Sequence, residues 1–275
     1  MRQIVFRGLL LLSLAVAFVT LGTLLFTVFR DGWGELDKNL LTGFNSSDPN
    51  VAGARSAILA TIEMGVLLLL FVVPLGVGTA IYLEEYANKE RWYNRLLEIN
   101  IMNLAAVPSI VYGILGLAFL VRGLNLGRVL LAGAMILTLL VLPTVIIASR
   151  EALRAVPNSI RQGAFALGAT RWQVVWRQVL PAALPGIATG SILALSRALG
   201  ETAPLIMLGA LTFITFDPTL LGPFTALPVQ IYDWISQSQQ EYTLRAAGGI
   251  IVLLVILLAL NSVAILVRNR YQKRW

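Results

Sequence analysis

Two ionisable residues, Arg197 and Glu201, lie in the stretch SRALGETAP (196–204), inside an apolar run from about Leu184 to Phe216. A charge at the centre of a bilayer costs roughly 2.5–3.5 kcal/mol on insertion scales, so such residues usually pair or line a pathway. Four positions apart, the two side chains share one face of a continuous helix and can form an ion pair. The spacing leaves two interpretations open: a salt bridge that joins helices, or a pathway for an ion or a proton.

The composition indicates that this apolar run belongs to a membrane protein. Of the 275 residues, 57% are hydrophobic and 13% are charged, whereas a soluble domain carries about 25% charged residues. The chain contains no Cys and no His, which excludes disulfides, haem ligation by these residues and His/Cys metal sites. It also contains no Gly-Lys dipeptide, so it has no Walker A phosphate loop, and any ATP must be bound by another chain.

Six segments are long enough for a helix to cross the hydrocarbon core, which takes about 20 apolar residues. The fifth is interrupted, because Pro204 lacks an N–H and disfavours helix at the residue before it. We therefore expect a helix from about Pro185 to Leu199, a break at Gly200–Pro204 and a second helical piece. The first segment is predicted to be a retained anchor, because it is too long for a signal peptide. The six segments are Gly8–Phe29, Ser56–Tyr82, Leu97–Val121, Val129–Ser149, Ala182–Phe216 and Ala246–Val267.

The distribution of basic residues predicts the orientation. With the N-terminus in the cytoplasm, two thirds of the 21 Lys and Arg residues fall on the inner side, as is typical of cytoplasmic loops. We therefore expect both termini in the cytoplasm and Arg245 in an outer loop. Glu63 is predicted to lie near the outer interface, and Glu84 and Glu85 just past the inner end of the second segment, all three in contact with solvent.

The longest inner loop, residues 150–181, is predicted to form a helical hairpin. The stretch Ser159–Gln162 matches a capping box, which predicts a helix that starts near Ile160. Gly168 is placed for a left-handed turn at the end of that helix. The stretch Thr170–Gln173 is a second capping box, so a second helix is expected to follow directly.

The second helix of this loop is predicted to end at Pro181 and to carry one apolar face at helical spacing. Three interpretations compete for the hairpin. It is an amphipathic anchor on the membrane surface, a DNA-binding helix-turn-helix, or a rigid dock for a soluble partner. DNA binding is disfavoured because both ends of the hairpin join membrane spans within a few residues. The predicted apolar face consists of Trp172, Val175, Trp176 and Val179.

The loop resembles the coupling motif of ABC importer permeases, which has the form EAA-xxx-G-x9-I-x-LP. The resemblance implies an all-α membrane protein with six transmembrane helices and the type I ABC importer permease fold. It also implies that the loop docks into a groove of a cytoplasmic ATPase whose closure moves the membrane helices. ATP and Mg²⁺ would then be bound by that partner, and this chain would not itself be an enzyme. Three positions depart from the motif: Gln162 stands for its Glu, Gly163 for its first Ala and Gln178 for its Ile. The aligned residues are Gln162, Gly163, Ala164, Gly168, Gln178, Leu180 and Pro181.

Four stretches narrow the resemblance: SRALGETAP, AIYLEEYA (80–87), LPVQIYDW (227–234) and NSVAILVRNRYQKR (261–274). From about Ser56 onward, the chain is similar to the A-type membrane subunit of Pst-type phosphate importers. The resemblance implies a multi-pass protein of the bacterial inner membrane. Its implied partners are a paralogous PstC-type permease, two copies of a PstB-type ATPase, a PstS-type extracytoplasmic phosphate-binding protein and membrane lipid, with no nucleic acid.

Two domains are expected on this basis. Residues 1–55 would form an N-terminal transmembrane helix and an extracytoplasmic loop, and residues 56–275 the permease core with five transmembrane helices and the coupling loop. The outer loop 217–244 is polar, with Asp217, Asp233 and Glu241 and no basic residue. An amphipathic helix is predicted there from Val229 to Ser236, as part of a gate or of a dock for a binding protein; its inward residues would be Ile231, Tyr232 and Ile235.

The resemblance to phosphate importers gives Arg197 and Glu201 a hypothetical role. A guanidinium stays charged and binds tetrahedral oxyanions through two parallel hydrogen bonds. We expect Arg197 to face the translocation path, and Glu201 to hold the guanidinium and weaken its field so that phosphate can leave. Transport of another oxyanion, such as molybdate or sulfate, and the C-type role stay open. So does a secondary transporter that uses Glu201 or Glu63 as a proton relay, although such a carrier would need no cytoplasmic dock.

Overall fold

The computed structural model of the protein describes residues 2–88 and 90–271, and every regular element within these residues is helical. Among the described residues, five helices are long and apolar enough to cross a membrane, and one bent pair of helices makes a sixth crossing if it counts as a single span. The prediction of an all-α membrane protein with six spans is confirmed in this form. The helices are α1 (Arg2–Gly32), α2 (Lys38–Thr42), α3 (Arg55–Ile81), α4 (Trp92–Ala105), α5 (Ser109–Gly116), α6 (Leu130–Arg154), α7 (Asn158–Ala166), α8 (Arg171–Val174), α9 (Leu180–Leu199), α10 (Ala203–Leu208), α11 (Leu227–Ile235) and α12 (Gln240–Tyr271).

The third predicted span is not a single straight helix. Helix α4 and the helix formed by α5 with the π-helical turn Leu117–Gly123 are bent by 104° relative to each other. Pro108 explains the bend, because a proline lacks an N–H and its ring disfavours helical backbone at Val107. The prediction of one continuous span over Leu97–Val121 is therefore wrong.

Helices α3, α6 and α9 pack closely through small residues. A Cβ atom added at Gly186 of α9 would lie 2.7 Å from the Cβ atom of Ala152 in α6, and Gly190 approaches Ala148 in the same way. A Cβ atom added at Gly76 of α3 would likewise lie 2.7 Å from Cγ1 of Val145 in α6. Small residues at helix crossings let the backbones approach closely in membrane proteins, so these three helices form the centre of the bundle.

The fifth predicted span contains the expected break but starts earlier than expected. Helix α9 ends at Leu199, Gly200 to Thr202 are not helical, and α10 follows. At the other end, however, the helix is continuous from Arg171 to Leu199, so the prediction that Pro181 ends the preceding helix is wrong. The π-helical turn Val175–Val179 comes directly before α9. Its wider hydrogen-bonding pattern accommodates a proline that has no N–H to donate.

One end of the bundle is closed by residues 33–54, which we call the cap segment. Its main anchor is Arg245 in the first turns of α12, whose side chain is only 5% exposed. The guanidinium lies 3.1 Å from Oε2 of Glu35 and donates to Oδ1 of Asp37 at 2.9 Å. It also donates to the carbonyl oxygens of Pro49, at 2.9 Å, and Asn50, at 2.6 Å. The sequence count placed Arg245 in a loop, whereas the structure buries it in a helix beneath the cap segment.

Helix α11 packs beneath the same end of the bundle. Trp234 is fully buried and donates from its indole N–H to Oδ1 of Asn45 at 3.2 Å. Ile231 faces inward as predicted, but Tyr232 and Ile235 are 57% and 52% exposed, so that part of the prediction is wrong. Leu227, Ile231 and Trp234 are spaced by four and three residues, so they share the buried face of the helix. Tyr232 and Ile235 each directly follow one of these residues, and their side chains therefore point away from that face.

Candidate functional site

At the opposite end of the bundle, residues 158–179 form a two-helix hairpin between α6 and α9. Gly168, at its corner, has a φ of +79°, as predicted for a left-handed turn. The second capping box is also confirmed: the Thr170 N–H donates to Oε1 of Gln173 at 2.9 Å, and the Gln173 N–H donates back to the Thr170 hydroxyl at 3.4 Å. The first capping box is wrong, because α7 begins at Asn158 and Pro157 precedes it without a side-chain cap.

The hairpin presents large apolar side chains to its surroundings. Leu167 is 91% exposed, and the exposed rings of Trp172 and Trp176 contact each other at a tilt of 48°, with centroids 5.0 Å apart. Val175 and Val179, which were predicted to share their face, are instead fully buried. The π-helical turn that begins at Val175 changes the number of residues per turn, so the four residues do not stay on one face.

The predicted coupling residues occupy two places on the hairpin. Gln162, Gly163 and Gly168 are exposed, and an added Cβ atom at either glycine would meet no other atom within 4 Å. Gly163, Ala164 and Gly168 line a cleft of about 460 Å³ between the two helices, together with Gln173 and Gln178. Leu180 and Pro181 do not line it; they lie at the start of α9, where the hairpin joins the membrane bundle.

A cluster of ion pairs lies between the hairpin and the bundle, and sequence reasoning missed it. The π-helical turn Tyr82–Tyr86 that follows α3 carries Glu84 and Glu85, whose side chains are both only 9% exposed. Glu84 lies 3.0 Å from Nε of Arg154, and Glu85 lies 2.7 Å from Arg161. The prediction that both carboxylates contact solvent is wrong, because arginines of α6 and α7 cover them. Two adjacent acidic residues at the end of an apolar span, with arginines at the start of the next inner loop, are the signal that could have predicted these pairs.

Arg197 and Glu201 come together as their spacing predicts. Nε of Arg197, in the last turn of α9, lies 3.6 Å from Oε1 of Glu201, which follows in the break before α10. Within the described residues this is the only ion pair or hydrogen bond of the Arg197 side chain, which is 59% exposed, against 22% for Glu201. The guanidinium lies on an exposed stripe of α9 with Thr189 and Leu193. Such a loosely held guanidinium has N–H groups free to bind an oxyanion.

Glu63, the other carboxylate considered from the sequence, lies in α3 and is half-buried. Among the residues that the structure describes, it forms no ion pair. The described residues also contain no group of three or more acidic, His or Cys side chains that could hold a metal ion.

A hairpin between two membrane helices, at the end of an all-helical bundle, defines the class of protein. The chain belongs to the family of binding-protein-dependent transport system inner membrane components, whose family model matches residues 72–275. A crystal structure of a bacterial ABC transporter involved in the import of the acidic polysaccharide alginate has the same fold. Its matching chain has a TM-score of 0.69 and 20% identity, over 99% of this chain and 97% of that one.

Two relatives confirm the narrower resemblance to Pst-type permeases. The phosphate transport system permease protein PstA 1 of Mycobacterium tuberculosis (strain CDC 1551 / Oshkosh) is 32% identical over 262 residues, which are 93% of this chain and 85% of that protein. The phosphate transport system permease protein PstC of Xylella fastidiosa (strain 9a5c) is 32% identical over 294 aligned positions, which cover 95% of this chain and 88% of that protein. This chain is therefore a multi-pass protein of the inner membrane and a permease of the Pst type.

Proposed function

We propose that this chain is the A-type transmembrane subunit of an ATP-driven importer of inorganic phosphate. The observation that carries the proposal is the exposed guanidinium of Arg197 on one face of α9. Its one ionic partner among the described residues, Oε1 of Glu201, lies 3.6 Å away, which is too far for a close hydrogen bond. Phosphate at neutral pH carries between one and two negative charges, and a guanidinium matches two of its oxygens at once. The names of the relatives, both phosphate transport permeases, support phosphate as the oxyanion.

The ATP-driven step is assigned to the hairpin. Its exposed apolar tip at Leu167 suits insertion into a groove of a soluble partner. The small residues Gly163 and Gly168, whose surroundings are open, let the partner approach the backbone of the hairpin closely. Gln162 and Ala164 would contact the same groove, and Leu180 and Pro181 would carry the motion into α9. On this proposal the hairpin end of the bundle and both termini are cytoplasmic, and the cap segment is extracytoplasmic.

The proposed complex contains one PstC-type permease beside this chain, two PstB-type ATPase subunits below and a PstS-type phosphate-binding protein above. ATP and Mg²⁺ belong to the ATPase subunits, because this chain has no Walker A sequence. Closure of the ATPases would displace the hairpin, and α9 would carry that displacement to Arg197. Glu201 would then compete with phosphate for the guanidinium, which keeps the attraction weak enough for release.

The test is uptake of radiolabelled phosphate by vesicles that contain the four proposed components. We expect accumulation only with ATP, the binding protein and this chain all present, and competition by unlabelled phosphate but not by sulfate or molybdate. Equal competition by sulfate or molybdate would assign the site to another oxyanion. Uptake driven by a proton gradient without ATP would identify a secondary transporter and overturn the proposal.

The corner of the hairpin provides a specific prediction. Gly168→Ala is expected to lower ATP-dependent uptake by about tenfold, because a non-glycine residue in left-handed backbone costs roughly 1–2 kcal/mol. A Cβ atom at Gly168 would meet no neighbour, so any effect is conformational and not steric. Uptake and co-purification of the ATPase with the permease are the measurements.

Gly78→Ala is the matched control for this variant. Gly78 lies in α3, has helical backbone and also has no atom within 4 Å of an added Cβ. Uptake by Gly78→Ala is expected to equal that of the wild type. A Gly168→Ala complex that assembles and transports like the wild type would show that the corner geometry has no part in docking.

A further inference from the structure

We infer that the π-helical turn Tyr82–Tyr86 is a mechanical joint that fixes both helices of the hairpin to α3 and α6, with Arg161 and Glu85 as its principal positioning residues. The inference rests on the proposed function in that it assigns the route by which movement of the hairpin reaches the membrane helices. The sequence of this turn, YLEEY, is part of a stretch that marked the family resemblance, but the transport pathway and the docking surface do not use it.

The guanidinium of Arg161, in α7, uses all its N–H donors within the chain. It donates to Oε1 of Glu85 from Nη2 at 2.7 Å and from Nε at 3.2 Å. It also donates to the carbonyl oxygens of Leu153 at 2.8 Å and Val156 at 2.7 Å, where α6 ends, and to Oδ1 of Asn158 at 3.3 Å. One side chain thus joins the first hairpin helix, the end of α6 and the turn after α3.

The neighbouring residues of the turn make parallel connections. Glu84 accepts from Nε of Arg154 at 3.0 Å and lies 3.6 Å from Nε of Arg150, both in α6. Tyr86 lies beneath the guanidinium of Arg171, the first residue of α8, at 5.4 Å from the ring centroid. Successive residues of one turn therefore contact α6, α7 and α8.

Burial separates these contacts from ordinary surface ion pairs. The side chains of Arg161 and Glu85 are only 15% and 9% exposed, so water screens their attraction weakly. Arginine, with a rigid fork of five donors, can hold several acceptors at fixed angles, whereas lysine acts as a point charge. A joint of this kind lets a displacement of the hairpin move α3 and α6 together with it. A loosened joint leaves the hairpin connected to α9, with which its second helix is continuous, but no longer moves α3 and α6.

The experiment compares Glu85→Gln and Arg161→Lys in the reconstituted complex, with Glu90→Gln and Arg95→Lys as exposed controls near the same membrane surface. We measure ATP hydrolysis, phosphate uptake and their ratio in the same vesicles. Both joint variants are expected to hydrolyse ATP at rates within about twofold of the wild type, while the phosphate moved per ATP falls about tenfold, as the loss of a buried charge-assisted hydrogen bond predicts. The two controls should keep the wild-type ratio.

A second measurement does not depend on phosphate. Backbone amide exchange of residues 158–166, measured in the complex without ATP, is expected to rise at least about fivefold in Glu85→Gln and to stay unchanged in Glu90→Gln. If Glu85→Gln keeps both the wild-type transport ratio and slow exchange, the joint is overturned. Loss of assembly in both joint variants would also overturn it, because the cluster would then only support folding. A wild-type complex without ATP-dependent phosphate uptake would refute the proposed function instead, and the exchange data would still test the joint.

Discussion

Replacement of Arg245 by alanine is expected to lower the free energy of unfolding by about 3 kcal/mol, as removal of one partner from a buried ion pair does. The guanidinium is 5% exposed and holds Glu35 and Asp37 together with the carbonyl oxygens of the cap segment. Alanine removes the charged donor that these acceptors share, and Asp37 keeps the N–H of Leu40 as a donor, so the cap segment should detach from α12. Denaturant unfolding of the purified protein and protease cleavage within residues 33–54 measure the two effects.

Arg55→Ala is the matched control. Arg55 also pairs with a carboxylate, since Nε and Nη2 donate to the two oxygens of Asp217 at 2.8 and 2.7 Å. Those side chains are 43% and 46% exposed, so this loss is expected to stay below about 1 kcal/mol. Equal losses for Arg245→Ala and Arg55→Ala would show that burial does not set the strength of these ion pairs.

Acidification should remove part of the same contact in the wild-type protein. A hydrogen bond from Arg245 holds the pKa of Asp37 below its usual value, so the unfolded chain binds this proton more readily than the folded chain. The stability from Asp37 is therefore complete above the usual Asp pKa of about 3.9 and is lost as the pH falls through the lowered pKa. Arg245→Ala should show a smaller acid-dependent loss in denaturant unfolding measured across this pH range, because the hydrogen bond from the Leu40 N–H still lowers the pKa of Asp37.

The second large effect is expected at Arg197. Arg197→Gln should reduce phosphate uptake by about 100-fold, because glutamine cannot supply a charged fork to an oxyanion. Assembly of the complex should persist, since within the described residues the side chain forms no ion pair or hydrogen bond beyond the pair with Glu201. Arg197→Lys should also transport poorly, because a lysine retains the charge but not the two parallel donors.

Arg122→Gln is the control for general loss of positive charge. Arg122 is exposed in the π-helical turn after α5, and its replacement should leave uptake within about twofold of the wild type, as surface charges contribute little. Normal uptake by Arg197→Gln in an assembled complex would refute the pathway role. The pair with Glu201 would then have only a structural role.

Local rules predicted those parts of the fold that depend on neighbours in sequence. The left-handed corner at Gly168, the second capping box at Thr170 and the break after Leu199 all follow from backbone preferences of Gly, Thr and Pro, and all three are confirmed. The prediction of one continuous third span did not apply these rules to Pro108, which bends the span, whereas at Pro181 the rule that a proline ends a helix was wrong. What decides between them is the π-helical turn before Pro181, which composition alone does not reveal.

The candidate site was predictable only where charge and spacing within one helix were enough. Arg197 and Glu201 are four residues apart, and their proximity follows from helical geometry. Glu85 and Arg161, by contrast, are separated by 76 positions in sequence. Arg245 likewise meets Asp37 only because α12 and the cap segment fold together. Hydropathy and charge counts treat such residues as loop charges, so contacts between distant segments were missed.

The glycines at the crossings of α3, α6 and α9 limit how this molecule can change shape. With Gly76 against Val145 and Gly190 against Ala148, neither helix can roll on α6 without steric overlap. Helices can change their angle more easily where helical backbone is broken, and two such breaks lie at residues 106–108 and 200–202. Stiffening the backbone at Gly200, in the second of these breaks, should slow a transport cycle without replacing the side chain of Arg197 or Glu201.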